Sequence, residues 1–141
     1  MEQLALALNL GEFLWAEANG RSLGRAPNAS VAALAVCLAE AGQEARSRAT
    51  LAAAIYPSAD REVALTALRQ SVRRLRQWLG EDIVDARRES IQFAAQVTIC
   101  VREESLIAAG YSHPIFDRFR NQSVAANIHE PLSAFAQIVR D

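Results

Sequence analysis

Leu65-Thr66-Ala67-Leu68-Arg69-Gln70-Ser71-Val72-Arg73-Arg74-Leu75-Arg76-Gln77-Trp78-Leu79 reads as the body of one amphipathic helix, and Gly80 stops it. Leu65, Leu68, Val72, Leu75 and Leu79 recur at three- and four-residue spacing, inside a sector of about 80° on the helical wheel. Thr66, Ala67, Gln70, Arg73, Arg74 and Gln77 lie opposite that stripe, and Arg69 and Arg76 flank it. The stretch carries four arginines and no acid, in a chain whose net charge is −1. Surface helices usually offset arginine with glutamate four residues away. This one does not, so its positive charge is concentrated on one face.

Working outward, the helix is expected to begin near Arg61, after the turn Ser58-Ala59-Asp60. Two shorter helices should precede it. One is capped by Asn28 or Ser30, carries Val31, Leu34, Ala35 and Leu38, and ends at Gly42. The other opens at Ser47 or Thr50 and closes at Tyr56-Pro57. Further upstream, Leu4, Leu6, Leu8 and Leu10 alternate as a strand, and Asn19-Gly20 marks a hairpin, so residues 3 to 25 predict a small antiparallel sheet. Downstream, Ile83-Val84 and Ile91-Gln92-Phe93 flank the polar turn Ala86 to Ser90 as a hairpin, and Val97 to Val101 is a further strand candidate. The expected class is α+β. Strands, three helices and a hairpin follow the plan of a winged helix-turn-helix: an N-terminal antiparallel sheet, three helices and a C-terminal β-hairpin wing.

The last 40 residues change character. Glu103 to Ala109, a segment around Phe116 and Phe119, and Pro131 to Val139 are expected to be helical. The chain therefore divides into a winged-helix domain over 1–101 and a short helical C-terminal extension over 102–141. The apolar residues of the extension (Ile115, Phe116, Phe119, Leu132, Phe135, Ile138 and Val139) suit packing on the domain, homodimerisation, or binding to another protein.

Composition narrows the chemistry. With 51% hydrophobic and 22% charged residues, the chain is a folding one rather than a disordered one. All 15 basic residues are arginine, which removes lysine-dependent catalysis and the lysine of a phosphate-binding loop. Cys37 and Cys100 both sit in apolar runs and read as two buried thiols in a reducing compartment. His113 and His129 have no ligand-spaced companions and read as surface or capping residues. Adjacent Glu103 and Glu104 cannot face each other on a helix, and Ser90 and Ser123 lack a nucleophile's setting. Trp15 and Trp78 are expected in the core or an interface. We therefore expect no catalytic residues, no metal and no cofactor. The apolar start carries no basic leader, and the longest uncharged run, Ala26 to Ala39, is too short to span a bilayer. The expected location is the cytoplasm, away from membranes.

An exposed face of arginine, glutamine and small residues suits reading of the DNA major groove. Arginine grips guanine with two hydrogen bonds and glutamine pairs with adenine. Ala67 and Ser71 would let the backbone approach closely, and Arg69 and Arg76 are placed for phosphates. Arg87 and Arg88, at the tip of the hairpin over about 83–93, would reach the backbone or the minor groove.

Leu51 to Pro57, followed by Ala67 to Gly80, resembles the DNA-binding domain of OmpR/PhoB-type winged-helix regulators. Within that group the chain is most similar to the SARP-like bacterial transcriptional activators. The likeness rests on an apolar short helix ending in an aromatic and proline, then an arginine-rich helix closing on Leu-Gly. Leu10-Gly11-Glu12-Phe13 and the Asn19-Gly20-Arg21 turn are also similar, so the resemblance covers about residues 4 to 101. It implies a sequence-specific transcriptional regulator that reads double-stranded DNA with Thr66, Ala67, Gln70, Ser71, Arg73, Arg74 and Arg76, and that works with RNA polymerase or another regulator. The same fold, near zero net charge, also admits a protein–protein interaction module as the alternative function.

Overall fold

The alternating leucines do form the first strand. In the computed structural model, which describes residues 3–42, 44–103, 110–114, 116 and 117, β1 spans Leu4–Leu10 and turns Leu6, Leu8 and Leu10 fully inward. It pairs antiparallel with β2 (Leu14–Ala18), which pairs with β3 (Arg21–Arg25). Asn19 (φ 52°) and Gly20 (φ 80°) take the two left-handed positions that a tight hairpin needs. The Asn19 side chain also accepts a 2.8 Å hydrogen bond from the Ala5 N–H, which ties the turn back to β1.

Helix α1 (Ala29–Ala41) is capped by Asn28, whose Oδ1 accepts from the Val31 N–H. Every residue from Val31 to Leu38 is buried, so α1 is the central rod of the core. Next come α2 (Arg48–Ile55), capped by Ser47, and α3 (Arg61–Leu79). The expected hairpin then forms, with one strand added to it. Its arms, Val84–Ala86 and Ser90–Phe93, are joined on the outer side of the second arm by the two-residue strand Arg46–Ser47 between α1 and α2. In chain order these are β4 (Arg46–Ser47), β5 (Val84–Ala86) and β6 (Ser90–Phe93), stacked β4-β6-β5. No periodicity marks a strand of two residues; its pairing with Ile91 and Ser90 is what makes it one.

The first sheet is antiparallel-rich rather than antiparallel throughout. Strand β7 (Val97–Glu103) lies beside β1 and runs parallel to it, giving the order β3-β2-β1-β7. Two further strands of the same sheet, three helices and the second sheet separate the two strands in sequence, a crossover long enough to return the chain in the same direction. The described residues thus form an α+β fold with three helices and two sheets. Among the described residues, no helix is long and apolar enough to cross a membrane.

Two side chains sit elsewhere than expected. Cys37 is buried in α1, but Cys100 is exposed, because β7 turns Thr98, Cys100 and Arg102 away from the core. His113 is only 7% exposed. It belongs to a short described segment, 110–114 with 116 and 117, that folds back over the first sheet. There the Tyr111 hydroxyl accepts from the Leu14 N–H and lies 3.4 Å from the Ala26 carbonyl. Phe116 is fully buried and stacks on Tyr111 at 5.9 Å. The helices expected over 103–109 and 131–139, with Ile115, Phe119, Ser123, His129, Leu132, Phe135, Ile138 and Val139, lie outside the described residues, except that Glu103 ends β7.

Burial lowers the His113 pKa from 6.5, against the raising effects of the Ile55 backbone hydrogen bond and of Asp117. A histidine held neutral in the fold charges more readily in the unfolded chain. Stability therefore falls as pH drops below about 6.5. Urea titrations at pH 7.5 and 5.5 should show the loss (roughly these values bracket the free histidine pKa), and His113→Gln should flatten it. An equal loss in the variant would refute the assignment to His113.

A second prediction concerns β4. Arg46 and Glu40 form a largely buried ion pair at 3.0 Å, which fastens the C-terminal turn of α1 to β4. Glu40→Gln leaves a buried guanidinium short of its counter-charge and should lower stability by about 2 kcal/mol. Denaturant midpoints measure it, and an unchanged midpoint would contradict the role given to the pair.

Candidate nucleic-acid interface

Helix α3 packs with a slightly different face inward than the leucine stripe implies. Ala64, Leu68, Ser71, Val72, Leu75 and Leu79 are buried, and Leu65 is only half-buried. The contact face is rotated by about 30° toward Ser71 and Ala64. As a result Ser71 does not reach the surface that sequence reasoning gave it. Its hydroxyl lies 2.5 Å from the Tyr56 hydroxyl, which also lies 3.4 Å from the Ala67 carbonyl, so Ser71 fastens α3 to the end of α2. Tyr56-Pro57 is a docking point as well as a helix stop.

The other expected positions come together on one side. Thr66, Arg69, Gln70, Arg73, Arg74 and Gln77 are exposed, and Ala67 and Arg76 are half-buried. Among the described residues, none of the five α3 arginines makes a salt bridge; the ion pairs among those residues are Arg46–Glu40 and Arg87–Asp85. Arg76 has its Nε buried without a hydrogen-bond partner among the described residues, while its side chain lines a groove with Arg48, Arg69, Arg73, Gln77 and Glu81. Trp78, half-buried, donates its indole N–H to the Gly24 carbonyl at 3.3 Å, and Trp15 on the outer face of β2 is 47% exposed rather than in the core.

The hairpin tip stands at the edge of this groove. Arg87 N–H donates to the Ser90 carbonyl, leaving Arg88 and Glu89 as the two-residue turn. The Arg87 guanidinium is turned back onto Asp85 at 3.1 Å, whereas Arg88 is exposed and lines a second hollow with Arg61, Arg69 and Glu89. The pair of tip arginines is thus split into one neutralised and one free of an ion pair among the described residues.

Arg48 was missed in the sequence and belongs here. It is the first residue of α2, its backbone N–H bonds to the Glu89 carbonyl at 2.9 Å, and its Nε donates to the Arg87 carbonyl at 2.8 Å. It joins the start of α2 to the hairpin tip and lines both hollows beside Arg69 of α3. Burial, and then the charge of Arg69, lower its pKa from the usual arginine value. The guanidinium stays ionised at neutral pH, but its surroundings supply positive charge rather than a counter-ion. A signal was present in the sequence: α2 has no acid in its first turn and places a cation at its positive dipole end, an arrangement that an external anion would relieve.

No family model matches the chain, and no curated protein matches it.

Proposed function

We propose that the chain is a winged helix-turn-helix domain that binds double-stranded DNA as a transcriptional regulator. Helix α3 enters the major groove, whose width of about 12 Å admits a helix. The β5–β6 hairpin serves as the wing. Arg73, Arg74, Gln70, Gln77 and Thr66 face the base edges, with Ala67 allowing close approach. Arg69, Arg76, Arg48 and Arg88 meet phosphates on the flanks. The observation that carries this reading is the side of the molecule where α3, the start of α2 and the hairpin tip converge: apart from Arg87, which pairs with Asp85, its arginines form no salt bridge among the described residues, although the chain as a whole is slightly acidic.

The test is a titration of the protein against a labelled random-sequence duplex at low and moderate salt, with an Arg73→Ala/Arg74→Ala double variant alongside. Salt-sensitive binding that the variant loses supports the reading. A folded wild type that binds no duplex even at low salt overturns it, and leaves the same surface to a protein partner.

A further inference from the structure

The two edges of the first sheet are built differently. At one edge, β3 is five residues long, carries Gly24, begins and ends on exposed arginines, and meets β2 through a register shift. Each of these features discourages a further strand from adding. At the other edge, β7 runs seven residues in unbroken register with β1, with no glycine, proline or bulge and a single charge before its last residue. Among the described residues no strand covers its outer side.

The direction of its hydrogen-bonding groups follows from the ladder. The Leu4 N–H donates to the Gln96 carbonyl, and Leu4 lies level with Val97. A parallel ladder in that phase points the backbone of Thr98, Cys100 and Arg102 toward β1, and that of Ile99 and Val101 outward. Beside the outward groups runs a shallow groove lined by Ala39, Gly42, Ile99 and Val101, all half-buried. Among the described residues, the edge offers at Ile99 and Val101 backbone groups that no strand pairs, beside an incompletely covered apolar flank.

We propose that β7 pairs antiparallel with β7 of a second copy of this chain, about a twofold axis at Cys100, to form a continuous eight-stranded sheet. That axis aligns Thr98 to Arg102 of the two copies. It sets Ile99 opposite the partner's Val101, so outward-pointing backbone meets outward-pointing backbone and two β-branched side chains pair across the strands. Thr98 falls opposite the partner's Arg102, with no like charges opposed. The two Cys100 residues face each other at a non-hydrogen-bonded position, where Cα atoms are about 4.5 Å apart, within reach of a disulfide. The pairing is independent of DNA binding.

Sedimentation of the full chain under reducing conditions, from low to high micromolar, should show a monomer–dimer equilibrium. Thr98→Arg, on the exposed face, sets like charges opposite each other twice and should weaken the dimer about tenfold. Adding Arg102→Glu should restore it. Mild oxidation with diamide should cross-link wild type and Cys37→Ser, since Cys37 is buried, but not Cys100→Ser. A monomer at all concentrations overturns the proposal. So does a dimer that ignores Thr98→Arg and yields no Cys100-dependent cross-link, because its interface would then lie elsewhere.

Discussion

Replacing Phe116 by alanine is expected to lower the unfolding free energy by about 3–5 kcal/mol, a large part of what a domain of this size commands. The ring is fully buried and belongs to the same core cluster as Leu6, Leu8 and Leu10 of β1 and Val31 to Leu38 of α1. It stacks on Tyr111, which in turn meets Phe13 edge-on at 5.4 Å and hydrogen-bonds to Leu14. Alanine would remove the ring that lies between Tyr111 and His113 and open a cavity there. Collapse into the cavity is hindered, because Gly110 is pressed so closely against Phe13 that an added side chain there would strike the ring. Urea denaturation measures the effect, with Phe116→Leu as the volume-conserving comparison and an expected loss of about 1 kcal/mol. A loss below about 1 kcal/mol for Phe116→Ala would show that the segment beyond β7 rests on the core without completing it.

The contrast between Phe116 and α3 shows what the sequence could and could not reveal. Local signals were legible: the period-two leucines of β1, the Asn19-Gly20 turn, the capping asparagine of α1, and the glycines that end α1 and α3. Each is a contest settled within a few residues. The direction of β7 and the existence of β4 depend on pairing across long separations, and no local pattern encodes them. Burial was misjudged where a residue's partner is remote. Ser71 is polar and small, which reads as surface, but Tyr56 gives its hydroxyl a bond and so permits burial. His113 likewise sits in a polar turn, where it is covered by the Phe116 ring and bonded to the backbone of Ile55 at the end of α2. Cys100 shows the reverse error, since an apolar run on an edge strand still turns alternate residues outward. At the candidate interface, the wheel located most of the exposed α3 positions. It could not find Arg48, which only the fold carries to the hairpin tip.

That placement of Arg48 separates two kinds of arginine by experiment. If phosphates meet four to six of the flanking and groove-facing arginines, the log–log salt slope of binding should be about −4 to −5, a loss of roughly 250- to 1,000-fold between 50 and 200 mM salt. Arg48 is aimed along the edge of the groove by its bond to the Arg87 carbonyl, and it has Arg69 for a neighbour. Arg48→Ala should therefore weaken binding to every duplex alike and reduce the slope by about one. Arg73 and Arg74 occupy the middle of the exposed face, opposite Leu68, Val72 and Leu75, where a helix seated in the groove meets base edges. Their joint replacement by alanine should cost about a hundredfold or more on a selected site, since each bidentate grip contributes about 1–3 kcal/mol of discrimination, and much less on random DNA. The two signatures differ in kind, so a general loss of fold cannot imitate both. Should Arg48→Ala leave the slope unchanged while abolishing preference among sequences, the helix would be seated in another orientation, with α2 rather than α3 nearest the bases.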